Sequence, residues 1–361
     1  MGMNQDGTVK NKRYIEIDIA KGVGIILVII GHVLGNESVI REYIYTFHMP
    51  LFFFLSGFVI RKNKINEQKT ILITIRNNLS LIVHYIIWSI AYLILDLIFV
   101  SISHEYSALR ILFVDIYETI CLYGISVLWF IATLIFSRII TEQILQRFSV
   151  RYSIVLCIIL LVAGTIGGSI VNTYLNSKWY FFYPACSILR IVMSVPIIYM
   201  GYLSRDALIK LLNAKLFYNL TICVLSSAML IILVFLDHPM MDYHKMAFHS
   251  WFTLIYFALG ILSIVCLTRI LKAIKAISCV LAWLGKNSLL IMVTHETIIR
   301  RILALVLINC GYTVSNVWIR AIQMFIIILL EMWIVYFCGD LFISTNKSVC
   351  RKIEARFEVK C

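Results

Sequence analysis

The stretch Ile17–Leu34, IDIAKGVGIILVIIGHVL, decides the fold, because only Asp18, Lys21 and His32 interrupt its apolar run. A run of that length with so few charges reads as a helix that crosses a bilayer. On a helix turning about 100° and rising about 1.5 Å per residue, the step from Lys21 to His32 makes roughly three turns. The two side chains then share one face, about 20° apart in angle and about 16 Å apart in depth. A cation near one membrane surface and an imidazole much deeper are costly in lipid, so the pair asks for a functional reading. Gly31 and Gly35 flank the histidine in a GxxxG pattern that lets another helix come close. An acid at the head of the run and no small-residue cleavage site argue against a signal peptide.

The rest of the chain repeats this pattern. It has 361 residues, is 61% hydrophobic and 14% charged, and contains only 4 Pro; its mean hydropathy is +0.92. No soluble globular domain needs so much apolar surface. The predicted fold is an all-α, polytopic membrane bundle of about ten spans: 17–35, 43–60, 79–100, 118–139, 152–171, 179–203, 216–236, 250–270, 287–309 and 318–343. Residues 109–117 read as an interfacial lead-in. One membrane domain, 17–343, is expected between a cytoplasmic segment, 1–16, and a basic tail, 344–361. That tail is too short for an appended catalytic domain, so any chemistry belongs to the bundle.

The net charge of +13 suggests a nucleic-acid binder until its placement is mapped. With a cytosolic N-terminus, 23 of the 32 Lys and Arg fall in inner segments, against Arg41, Arg110, Lys178 and Lys245 outside. This positive-inside bias predicts both termini in the cytosol and a plasma (inner) membrane location, with the surplus serving topology and lipid headgroups. No nucleic-acid partner is expected. The 10 Cys show no C-x-x-C spacing and read as membrane thiols, so no metal site is expected.

Topology also gives depth. His32 and His48 fall in the outer half, Arg190 close to the midplane, and His295, Glu296 and Glu331 in the inner half, with Arg300 and Arg301 nearer the middle. Ionisable groups at every level imply an internal polar cavity. Each has a plain alternative. Lys21 could snorkel or pair with Asp18 one turn back. His32 and His295 could be packed histidines, while a functional His32 would act as a general base, its unperturbed pKa being about 6.5. In the run His48-Met49-Pro50-Leu51-Phe52-Phe53-Phe54-Leu55-Ser56-Gly57-Phe58, Pro50 frees a carbonyl one turn earlier and Ser56-Gly57 permits close packing. The phenylalanines of that run, Trp129-Phe130 and Trp283 read first as packing.

Taken together, Arg13-x4-Asp18-x2-Lys21-Gly22 leading to His32, then Phe47 to Phe58, resemble the start of the bacterial acyltransferase-3 family. Within it the chain is most similar to the fucose 4-O-acetylase-like, polysaccharide O-acetyltransferase branch. Leu128-Trp129-Phe130, Arg190 to Tyr202, and Leu284 to Leu289 with His295 extend the likeness over essentially the whole chain. The resemblance implies an integral membrane enzyme carrying acetyl from cytosolic acetyl-CoA to hydroxyls of an extracytoplasmic polysaccharide or lipid-linked glycan. Capsule, exopolysaccharide, O-antigen and wall polymer all suit, and oligomeric state is left open. The family's R/K-x10-H element maps onto Lys21 and His32, with lysine where many members have arginine.

In that reading His32 is the base or a transient acetyl acceptor and Lys21 its catalytic companion. Asp18, His48, Ser56, Arg190 and His295 support them or bind substrate. Donor phosphates are expected at Arg61, Lys62 and Arg76, with Lys64 and Lys286 on the same rim. The basic cluster before the third span is reduced to Arg76, and His84 stands where proline is usual. The outer loop 237–249 could select the acceptor, although its His238, His244 and His249 read more simply as solvated. The rival classes are a carrier of an anionic solute and a family-related membrane module serving another enzyme.

Overall fold

The computed structural model describes residues 13–34, 38–60, 71–103, 108–248, 250, 252–300, 303 and 317–358. Among them the only β feature is an isolated antiparallel bridge between Asp242 and Ala247. The chain begins with α1 (Ile15–Val33), α2 (Val39–Tyr45) and α3 (His48–Phe58). Then come α4 (Ile71–Asn77), α5 (Leu79–Ser103), α6 (Ala108–Ile120), α7 (Trp129–Arg147), α8 (Val150–Tyr174) and α9 (Trp179–Leu203). The remainder comprises α10 (Arg205–Asn213), α11 (Leu216–Asp237), α12 (Thr253–Leu271), α13 (Lys275–Lys286), α14 (Ser288–Thr294), a π segment His295–Arg300 and α15 (Val317–Glu358).

Seven of the described helices are long and apolar enough to cross a membrane: α5, α7, α8, α9, α11, α12 and α15. Their burial sorts them into layers. The α7 span is 72% buried and forms an inner wall, whereas the spans of α8, α11 and α15 are each 22% buried and turn Ile, Leu and Phe outward. The central helix is α1, which packs on α3, α12, α13, α14 and α15. It holds Glu16, Asp18 and Lys21 in its first two turns, a charge load affordable only inside protein.

Three expected spans are built differently. The run 43–60 breaks at Thr46–Phe47 into α2 and α3. Pro50, in the first turn of α3, has no N–H to donate to the Thr46 carbonyl, so the helix ladder lapses there; the Thr46 hydroxyl donates back to Tyr43 O at 2.6 Å, at the end of α2. The run 118–139 is interrupted by a turn with Gly124 at φ +79°, so its helix begins at Trp129 after a short 3₁₀ turn, Ser126–Leu128. Before the run 287–309, α13 forms and meets α14 at 66°. Residues 301, 302 and 304–309 of that run lie outside the described residues.

The amphipathic α13 crosses the charged end of α1 at backbone contact. A Cβ on Gly22 would strike the carbonyl of Leu281, and one on Gly285 the carbonyl of Asp18. Such a crossing lacks room for any side chain. Gly285→Leu is therefore expected to destabilise the detergent-solubilised protein by about 1–3 kcal/mol, as overpacking does. Cys279→Leu, on the exposed face of the same helix, should leave the thermal melt nearly unchanged.

Candidate active site

Four helices turn their polar residues toward one column. On α1 these are Lys21 and His32, with Val28 between them; on α3, His48 and Ser56, with Phe52 between. On α7 Arg138 follows Phe130 and Leu134, and on α14 with its π continuation Glu296 follows Ser288 and Met292. Steps of four and seven residues keep each set on a single helix face. The column holds two cavities. With the end marked by Arg13, Arg147 and Lys272 taken as the bottom, the lower cavity has a volume of about 240 Å³ and contains Lys21 and Arg138. The upper chamber, about 230 Å³, contains His32, His48 and Glu296.

In the upper chamber His32 Nδ1 lies 3.4 Å from Glu296 Oε2. A proton on Nδ1 directed at the carboxylate leaves the Nε2 lone pair for chemistry, the arrangement that makes an imidazole a base or nucleophile. The ring of His295 is 5.2 Å from that of His32. Its own Nδ1–H donates to Ile291 O at 2.9 Å, which fixes its tautomer. The π segment sets the direction of His295 and Glu296. Just before it, the Thr294 hydroxyl donates to the Glu331 carboxylate of α15, 2.8 Å from the nearer oxygen. His48 bridges the break between α2 and α3 by donating from Nδ1 to Ile44 O at 2.9 Å, under the ring of Tyr45. Arg41 in turn lies 3.9 Å over Tyr45 at the chamber mouth.

His32, His295 and Glu296 offer three possible metal-ligand atoms lying within 4.8 Å of one another. A tetrahedral zinc bound at about 2.1 Å would need its donors closer together than that outer limit. As placed, the close pair within the cluster is His32–Glu296, with the His295 ring packed beside it.

The segment between α11 and α12 closes the chamber from above, and here the expectation of solvated histidines is corrected. His244 is half-buried and stacks on Trp129 at 5.3 Å and 19°. Burial, with Arg190 and Lys245 adding like charge, pushes its pKa well below the usual imidazole range, so the ring stays neutral. Tyr243 exchanges a 2.8 Å hydrogen bond with Ser194 and packs on Phe53. Asn172 of α8 ties the segment down by donating to Lys245 O and Met246 O. His238 is 59% exposed beside Glu42, and His249 lies outside the described residues.

In the lower cavity Arg138 donates from Nη1 to Ser56 Oγ at 3.1 Å, with Glu142 3.8 Å from Nη2. Lys21 shares this space, lined also by Asn77, Asn78 and Ser288. Two cations in a cavity lined otherwise by neutral groups, Arg138 being partly offset by Glu142 behind it, make a setting for an anion.

Several expected residues take other parts. Asp18 does not serve Lys21 in the first instance; it accepts from Arg13 at 2.7 and 3.2 Å and fastens the start of α1. Arg190 is fully buried but lines neither cavity. Its guanidinium donates to the carbonyls of Cys186, Leu122 and Tyr123 and to Ser187, and lies over the Tyr123 and Trp129 rings. It thereby holds the turn that presents Trp129. Arg76 is exposed at the end of α4, while Arg61 and Lys62 lie outside the described residues. Glu296 and His295, expected in the inner half, stand instead level with the outer-half His32, because α14 starts beside Lys21 at Ser288 and climbs from there. Arg138 joins the site without having been singled out. Glu296 had a signal, adjacency to His295 in an apolar run; Arg138 was counted only as an inner positive charge.

A family model described as an acyltransferase domain, the acyltransferase-3 model, matches residues 14–337. No curated protein and no solved structure matches the chain.

Proposed function

The chain belongs to the acyltransferase-3 family, and from that premise we propose that it is a bacterial membrane O-acetyltransferase of the polysaccharide-modifying branch. In this reading acetyl-CoA arrives from the cytosol at the lower cavity. A hydroxyl of an extracytoplasmic polysaccharide or lipid-linked glycan enters the upper chamber from the other side. The basic bottom of the bundle then faces the cytosol, in keeping with the charge bias, and the protein resides in the plasma membrane.

One observation carries the proposal: the His32–Glu296 pair stands in a chamber that abuts a cavity holding Lys21 and Arg138. The two cations attract the donor's phosphates, and the thin pantetheine arm reaches upward. Arg76 on the exposed end of α4 adds to the approach field. His32 Nε2 takes the acceptor hydroxyl proton as that oxygen attacks the thioester carbon. The carbon–sulfur bond breaks, a carbon–oxygen bond forms, and the proton passes to the departing CoA thiolate. Alternatively the same nitrogen first attacks the thioester carbon, the carbon–sulfur bond breaks and the CoA thiolate leaves, taking a proton from water. The acceptor hydroxyl then attacks the acetyl carbon, the carbon–nitrogen bond breaks, and the hydroxyl proton passes to the solvent hydroxide so formed, leaving His32 neutral. Both routes start from an unprotonated His32 oriented by Glu296.

Purified protein in vesicles, given acetyl-labelled acetyl-CoA and an envelope glycan fraction, is expected to release free thiol and label the glycan in equal amounts. Donor binding without thiol release would mark a carrier and overturn the proposal.

A further inference from the structure

The two cavities meet at a single level. Phe130 and Met292 line both of them, and Phe52 lines the lower one directly beneath. The order along each helix agrees. Lys21 below and Val28 above are separated on α1 by Gly24, whose missing side chain leaves room for the Phe52 ring about one contact distance away. On α7 Phe130 lies between Trp129 above and Leu134 below, and on α14 Met292 lies between Glu296 above and Leu289 below. The layer is apolar and closely packed. Phe130 is 4% exposed and Met292 3%, and the Phe52 and Phe130 rings meet edge to face at 5.9 Å.

We propose that Gly24, Phe52, Phe130 and Met292 form a septum between the donor cavity and the acceptor chamber, with Met292 as its movable part and acyl-size selector. This rests on the acyltransferase reading for the identity of what crosses. The members differ in freedom. Phe130 is wedged against Phe53 at 5.2 Å and Trp129 at 6.2 Å, and Phe53 is backed by Tyr243. Met292 is unbranched, with three rotatable side-chain bonds, and can swing aside without disturbing its helix. A closed septum keeps water and ions from crossing and shields the thioester from hydrolysis between turnovers. An open one passes a slim acyl-pantetheine end and nothing much wider. A branched or longer acyl group must displace more of the Phe130 and Met292 side chains, so the septum discriminates at the moment of passage.

The test reads sidedness without needing catalysis. Val28→Cys probes the upper chamber and Leu134→Cys the lower cavity, each exposed to a membrane-impermeant thiol reagent on one face of sealed vesicles. Peptide mass spectrometry scores modification at the introduced cysteine alone. With the septum intact, each probe is expected to react from one face only, and from opposite faces. Adding Met292→Ala or Phe130→Ala should raise labelling from the forbidden face at least about tenfold, while the volume-conserving Met292→Leu should keep the sidedness. Met292→Ala should also raise the ratio of butyryl to acetyl kcat/KM by about tenfold or more, the scale on which pockets sense a methylene. Labelling of either probe from both faces in the intact protein overturns the septum. So does unchanged sidedness in both alanine variants. Changed sidedness in a protein that releases no thiol from any acyl-CoA would instead uphold the septum and remove the enzymatic reading.

Discussion

Membranes carrying His32→Ala are expected to lose acetyl transfer by about 10²–10⁴-fold at matched protein levels, the range that a positioned general base supplies. The loss should appear in kcat, because in the proposed mechanism His32, in the upper chamber, meets the reacting atoms while Lys21 and Arg138, in the lower cavity, bind the donor. Glu296→Gln should fall in the same direction but less far. The amide preserves the shape beside His32 Nδ1, now 3.4 Å from a carboxylate oxygen, but removes the charge that favours the imidazolium formed during proton transfer. If His32 is acetylated in the cycle, quenching in denaturant near neutral pH during turnover, with immediate mass spectrometry, should trap label on the peptide carrying His32, and none in Glu296→Gln if acylation becomes slow. Acidifying the acceptor side should suppress activity, since the protonated ring has no lone pair to offer. Normal transfer by His32→Ala membranes would remove the histidine from the mechanism.

How the sequence already contained this site differs residue by residue. The shared face of Lys21 and His32 followed from helix geometry alone, because both lie on one uninterrupted helix of 19 residues. The same holds for His48 and Ser56, two turns apart on α3. What one helix cannot reveal is its neighbour. The closure between Lys21 and His32 depends on Phe130 from α7 and Met292 from α14, side chains whose own spacing says only that they face inward. Arg138 was hidden for a different reason: near the end of an apolar run a cation satisfies the positive-inside pattern equally well pointing outward or into a cavity. His244 escaped because the segment around it has a loop's composition, yet it is packed onto Trp129 under the restraint of Asn172. Arg190 was rightly marked as buried, but burial did not reveal that its partners are backbone carbonyls.

Neutralising the lower cavity should produce the complementary defect. Lys21→Met is expected to raise the KM for acetyl-CoA by about 10- to 100-fold, the equivalent of losing one charge-assisted contact of about 1.5–3 kcal/mol, with a smaller change in kcat. Arg138 has a second task that complicates its removal. It donates to Ser56 and lies 3.8 Å from Glu142, so Arg138→Met strands a carboxylate and lowers stability as well as affinity. Arg138→Lys separates the two effects. It keeps the charge beside Glu142 but loses the planar fork, so folding should survive while donor KM still rises. Because Lys21 and Arg138 would share one ligand, the double variant Lys21→Met with Arg138→Lys should cost less than the product of the single changes. Raised ionic strength should weaken donor capture in the native protein more than in Lys21→Met, since a screened attraction already missing a charge has less to lose. A fall in kcat with unchanged donor KM in both single variants would move these cations out of donor binding and into the chemical step.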